Sequence, residues 1–285
     1  VSAFSLLPHA IHGKKRDEHL FDKENHLPCY FLINFATAKH EHVNLIIDIG
    51  NTLAKLVAFD GDTPVEEIKT SNETLERLPE FVNKYAFKQG IVGSVFGITA
   101  EAERQLKRLD FPLLYLNAQT PVPITNAYRT PDTLGADRLA AAVGAYMQYP
   151  GHDILIVDAG TCLTYEFIDK NGHYKGGCIS PGLQMRLKSL RAFTAKLPLI
   201  DSEGPLLDIG YDTETSIRSG VIQGMKFEIE GRIKYFQEKY PSLLVFLTGG
   251  DIFNFDSKIK NLIFADKYIV PRGLKRILAF NNEQS

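Results

Sequence analysis

"NLIIDIGNTLAKLVAFD", residues 44–60, sets the turn Asp48-Ile49-Gly50-Asn51-Thr52 between two apolar runs. The arrangement recurs in "ILIVDAGTCLTYEFID", residues 154–169, where Asp158-Ala159-Gly160-Thr161 lies between another such pair. Short apolar runs bounded by turn residues read as buried strands, so each stretch is a hairpin with an aspartate and a glycine at its tip. A tight turn containing glycine directs backbone N–H groups outward, where they hold phosphate oxygens without side-chain bulk, and Asn51, Thr52 and Thr161 add neutral donors. Asp48 and Asp158, at strand ends, are hard oxygen ligands suited to Mg²⁺, directly or through its waters, or to a larger monovalent cation. One such turn is ordinary turn chemistry. Two at equivalent points of a repeated pattern describe a site for a nucleotide and its metal.

The surroundings of the two turns repeat as well. In the first half, 44–49, 53–60 and 65–70 read as strands, 74–85 as a helix, 90–95 as a buried strand, 98–109 as a helix and 112–117 as a strand. A loop over 117–134 then leads to a helix at 136–148. The second half opens with strands at 153–158, 162–168 and 173–180, then a helix begun by "PGL" at 181–183, a helix at 212–239, a strand at 243–248 and a last helix near 271–280. The expectation is a duplicated α/β protein with lobes at 43–150 and 151–285, each a mixed β-sheet with flanking helices, facing each other so that both tips meet in one cleft. A chain of 285 residues is long enough for two ordinary domains.

Composition narrows the partners. Hydrophobic residues at 44%, charged residues at 23% and a formal net charge of −2 give no electrostatic reason to expect nucleic acid or an anionic membrane. No apolar run approaches the roughly 20 residues that span a bilayer. Small ligands are expected. Cys29, Cys162 and Cys178 form no CxxC pair, which points to a reducing compartment, the cytoplasm, and away from a zinc site. Residues 1–42 carry six of the eight histidines, scattered among charges without ligand spacing, and read as a poorly ordered extension. Within it "CYFLINFATA" (29–38) is too short and too mixed in its flanks for a signal peptide. The chain starts without Met, so an upstream extension or a misplaced start is expected.

Three further features carry chemistry. Lys55, three residues past Thr52, can reach phosphates as a point charge. "LTGGD" (247–251) ends an apolar run with paired glycines, which let backbone approach a bulky ligand or simply turn the chain. "GADR", comprising Gly135, Ala136, Asp137 and Arg138, stands at the mouth of the helix 136–148, after a loop carrying Tyr128. An aspartate in a first helical turn is favoured by the macrodipole alone. Beside two phosphate-binding turns it takes on a second role: Asp137 accepts the proton of a hydroxyl attacking phosphorus, while Arg138 clamps a substrate carboxylate. That pairing suits a small hydroxy acid.

From Asn44 to about Phe280 these residues resemble the type III pantothenate kinases, of the superfamily of acetate kinase, sugar kinases, Hsp70 and actin. The resemblance rests on "DIGNTLAK" (48–55), Tyr128 with "GADR" (135–138), "DAGT" (158–161), "GGCISPGL" (176–183), "DTETSIRSG" (212–220) and "TGGD" (248–251), in that order. It implies two ribonuclease-H-like, actin-like ATPase lobes and ATP-dependent phosphorylation of pantothenate, the first step towards coenzyme A, with Mg²⁺ and K⁺ or NH₄⁺. Carried over by position, Asp48, Ile49, Gly50, Asn51, Thr52, Leu53, Ala54 and Lys55 would line the ATP phosphates together with Thr161, and Asp48 would serve Mg²⁺ through water. Asp158 would hold the monovalent cation. Tyr128, Gly135, Ala136, Asp137, Arg138 and Thr213 would bind pantothenate, with Asp137 as proton acceptor and Thr213 supplied across a homodimer interface. Two positions depart from the family's DxGTAxTxD: Cys162 stands for its Ala and the longer Glu166 for its second Asp. Two other readings of the fold are a regulatory nucleotide-binding protein, which would have no need of the base in GADR, and a kinase for another small hydroxylated substrate.

Overall fold

A computed structural model describes residues 43–251 and 263–284, so the expectations for residues 1–42 lie outside the described residues. The chain opens with an antiparallel meander, β1 (Val43–Ile49), β2 (Leu53–Asp60) and β3 (Thr63–Ser71). β4 (Phe87–Ser94) and β5 (Leu113–Tyr115) then add in parallel on the other side of β1, giving the order β3-β2-β1-β4-β5. The short β6 (Thr125–Asn126) leaves this sheet and pairs instead with the second one.

The second sheet restates the first. β7 (Ile154–Ala159), β8 (Cys162–Ile168) and β9 (His173–Pro181) form the antiparallel meander, and β10 (Leu244–Gly249) and β11 (Ile263–Ala265) add in parallel beyond β7. Apart from β6 on its edge, β9-β8-β7-β10-β11 is the same order as β3-β2-β1-β4-β5. β1 and β7 are central in their sheets, which is why both read as nearly unbroken apolar runs.

Helices α1 (Leu78–Val82), α2 (Ala100–Leu106), α3 (Ala136–Gln148), α4 (Leu183–Ala192), α5 (Thr213–Lys239) and α6 (Ile269–Asn282) cover these sheets. α3 and α6 cross at backbone contact: a Cβ on Gly144 would fall 2.1 Å from the Ile269 carbonyl oxygen, and one on Gly273 would fall 1.8 Å from that of Ala140. One apolar core surrounds this pair. It takes Ile46, Val57 and Ile91 from the first sheet and Ile154, Ile156 and Phe246 from the second. Close-packed interiors transmit position, so this core sets the two hairpin tips against each other.

The helix expected at 74–85 is confined to Leu78–Val82. Leu75 has a φ of 49°, in the left-handed region, and breaks the helical path before Arg77 starts the helix with Pro79 in its first turn. α6 begins earlier than expected and carries Pro271 in its first turn, where the missing N–H costs nothing. β6 and β11, two and three residues long, carry too little pattern to be read from sequence.

Candidate active site

The two tips touch. Thr52 Oγ1 lies 3.1 Å from Thr161 Oγ1, and in both turns the glycine N–H donates to the first residue of the next strand, Gly50 to the Leu53 carbonyl across two residues and Gly160 to the Cys162 carbonyl across one, each at 3.1 Å. These glycine amides are spent inside their turns, so the outward donors expected there fall to Asn51, Thr52 and Thr161. Below the tips opens a cleft of about 370 Å³ whose walls include Asp48, Lys55, Asp137, Arg138, Asp158 and Thr161. Three carboxylates from β1, α3 and β7 thus share one cavity.

Different devices hold the two turns. The Asn72 amide, just past β3, donates to the carbonyls of Gly50 and Asn51 at 2.9 and 2.8 Å. The second turn is held by backbone. The Gly182 N–H donates to the Thr161 carbonyl at 3.2 Å, and the N–H groups of Gly250 and Asp251 donate to Ala159 at 2.9 and 3.0 Å. A Cβ on Gly182 would fall 2.2 Å from the Gly160 carbonyl oxygen, and Gly249, at φ 102°, would collide with Ala159. Both glycines of "TGGD" line the cleft, the first packed against Ala159 and Gly250 with open space where its side chain would be.

Burial dominates the electrostatics. It pushes the Asp48 carboxyl up to about 6, against the pull of Lys55, whose Nζ lies 4.0 Å from Asp48 Oδ2. Asp158 is pushed up to about 7, by burial first, with Lys55 opposing and Asp137, Asp48 and Glu166 adding repulsion. Asp137 is raised too, by burial, against the Arg138 N–H that it accepts at 2.8 Å and the charge of Arg138. Carboxylates this reluctant to ionise together suit a cation. Among the described residues no three acidic, His or Cys side chains form a closed metal cage. A donor set of one or two carboxylates fits Mg²⁺ that keeps waters and phosphate oxygens in its shell, and fits a more loosely held monovalent ion.

Arg138 is buried, and its guanidinium is bound in bidentate fashion by Glu166, Nε to Oε1 at 2.6 Å and Nη2 to Oε2 at 2.8 Å. The Tyr174 hydroxyl donates to the same carboxylate at 2.5 Å, and the Tyr128 ring lies 5.6 Å from Arg138 Cζ. The expected free clamp for a carboxylate is thus a guanidinium with one edge already paired. Burial works against the charge of Arg138, yet the Glu166 pairing holds its pKa above the usual value.

Of the other expected site residues, Leu53 and Gly135 line the cleft. Ile49 and Ala54 do not reach it, because alternation along β1 and β2 turns both side chains into a separate apolar core. Ala136 is buried beside Gly93. Tyr128 stacks over Gly176, where a Cβ would fall 3.0 Å from its ring. Thr213, exposed in the first turn of α5, does not line this cleft. The sequence pattern gives no sign of Asn72 or Tyr174 in these contacts, and it marks Glu166 only as a longer acid in place of the family's Asp. "PGL" marked Gly182 only as a helix start, and a lone Asn after a strand carries no signal.

Residues 44–235 match the family model described as type III pantothenate kinase. A protein of Bacteroides fragilis named type III pantothenate kinase is 53% identical over 84% of this chain and 99% of its own. One of Phocaeicola vulgatus with the same name is 53% identical over 85% of this chain and all of its own. Among solved structures, a Campylobacter jejuni protein assigned to a Baf family of transcriptional activators superposes with a TM-score of 0.54 at 21% identity, over 84% of this chain and 99% of that one, a likeness of fold.

Proposed function

The chain belongs to the type III pantothenate kinase family, and from that premise we propose how its cleft performs the family's reaction. The reaction is ATP-dependent phosphorylation of pantothenate, which begins coenzyme A biosynthesis. The observation that carries the reading is the convergence of Asp48, Asp137 and Asp158 on one cavity beneath two touching glycine turns.

In this reading the turn from Asp48 to Lys55, with Thr161, receives the ATP phosphates, and pantothenate lies against Tyr128, Gly135, Asp137 and Arg138. The Asp137 carboxylate accepts the proton as the primary hydroxyl of pantothenate forms its bond to the γ-phosphorus. The bond from that phosphorus to the β-bridging oxygen breaks, and ADP leaves. Burial that raises the pKa of Asp137 above the usual carboxylate value suits a general base. Lys55 neutralises phosphate charge from β2. Asp48 would hold Mg²⁺ through its waters and Asp158 a K⁺ or NH₄⁺ ion; these cations would spread the charge of the transferring group.

The proposal extends to a division of labour between lobes at 43–150 and 151–285, and to a homodimer in the cytoplasm. Support for the dimer comes from the approach to α5, where Phe193, Ile209 and Tyr211 are 87%, 85% and 77% exposed. Apolar groups this bare, with Ile209 and Tyr211 within four residues of the exposed Thr213, suit an interface that carries Thr213 to a partner's cleft. No helix among the described residues is long and apolar enough to cross a membrane.

The test is ADP release by the purified chain with and without pantothenate, at fixed Mg²⁺ and with K⁺ present or omitted. Pantothenate-dependent release that falls on omitting K⁺ is expected. ATP binding without such release would favour a regulatory binding protein, and release with another hydroxy acid or a sugar in place of pantothenate would favour a different kinase.

A further inference from the structure

Glu166 is a buried carboxylate that no step above uses. It is 1% exposed and stands on β8 two residues beyond Thr164, which pairs with Asp158. Alternation along the strand therefore sets Glu166 on the same face as Asp158, towards α3. Its surroundings are built for it. Opposite on β9 is Gly177, where a Cβ would fall 1.6 Å from the Tyr165 carbonyl oxygen and 2.9 Å from Glu166 Oε2. Only glycine leaves room there for both the strand pairing and the longer acid. Both oxygens of Glu166 are taken, by Arg138 and by the Tyr174 hydroxyl.

Arg138 nonetheless lines the cleft while keeping one edge of its fork on Glu166. A guanidinium has five N–H donors in a rigid plane, so fixing two of them fixes where the rest point. We propose that Glu166 is a positioning residue for the acceptor substrate: it locks the Arg138 guanidinium in one orientation, so that the donors left over meet pantothenate beside Asp137. The inference rests on the reading of Arg138 as an acceptor-binding residue. A purely structural ion pair would instead hold α3 against β8 and affect both substrates alike.

Steady-state kinetics of Arg138→Lys, Glu166→Gln and the double variant separate these cases. Arg138→Lys keeps the charge but loses the fork and is expected to raise the pantothenate KM by about tenfold or more, with the ATP KM within about twofold. Glu166→Gln is expected to do the same. The double variant should exceed Arg138→Lys by no more than about twofold, because both changes remove one interaction. Tyr174→Phe removes a single hydrogen bond to Glu166 while keeping its charge, and a rise of a few-fold in the pantothenate KM alone is expected, which decides the matter should Glu166→Gln fail to fold. An unchanged pantothenate KM in Arg138→Lys would overturn the reading of Arg138 itself. With that reading intact, equal rises in both KM values for Glu166→Gln or Tyr174→Phe, an unchanged pantothenate KM in both, or additive effects in the double variant would overturn the role of Glu166.

Discussion

The two glycine turns each close through the glycine N–H and have the same strand order around them, yet they are held by opposite means. The first is latched by one side chain, Asn72, and its aspartate has an ammonium 4.0 Å away. The second is clamped by backbone from the start of α4 and the end of β10, and three carboxylates, Asp137, Asp48 and Glu166, oppose Lys55 at its aspartate where two, Asp137 and Glu67, do so at Asp48. A side-chain latch tolerates adjustment, whereas backbone packed on backbone does not. The second turn is therefore the rigid, electrostatically starved member of the pair, which suits a fixed cation, and the first is the softer one, which suits closing on a nucleotide.

The largest test of this contrast is in the unfolding free energy. Asp48 and Asp158 have folded pKa values near 6 and 7 against an ordinary value of 3.8. Because the folded values are raised, the stability linked to each proton is fully present below about pH 4 and is lost as pH rises through 6 for Asp48 and 7 for Asp158. At pH 8, without metal or nucleotide, Asp158→Asn should stabilise the protein by up to about 4 kcal/mol and Asp48→Asn by up to about 3, at roughly 1.4 kcal/mol per unit. Urea titrations at pH 5 and pH 8 measure this, and a larger gain for Asp48→Asn would reverse the ranking. Next comes Gly182→Ala. Its backbone, at φ −71°, accepts any residue, so the cost is collision with the second turn alone, about 1–3 kcal/mol together with a loss of ATP turnover. Smallest is Asn72→Ala, which deletes two hydrogen bonds to the first turn: about 1–2 kcal/mol and a few-fold rise in the ATP KM. A heavier penalty at Asn72 than at Gly182 would mean that the first turn is the rigid one.

Much of this was legible in the chain. The paired hairpins and the GADR helix mouth announced themselves because apolar strand runs, turn chemistry and helix starts are local properties, and the repeat doubled the hairpin signal. The contacts that hold the site were not legible, for the opposite reason. Asn72 reaches back across 22 and 21 residues to the first turn, and Glu166 reaches Arg138 across 28. The close crossing of Gly144 and Gly273 joins helices whose sequences give no sign of each other. Ile49 and Ala54 show the limit of carrying a motif over as a block, since the pleat sends them to the core whatever the turn binds.

The measurement closest to the central claim, that one cleft unites nucleotide turns and proton acceptor, is a comparison of ATP affinity and kcat in Asp137→Asn. Unaltered nucleotide affinity with kcat lowered by roughly 10²–10⁴-fold is expected of a general base. A near-normal kcat would remove Asp137 from the chemistry and contradict the claim.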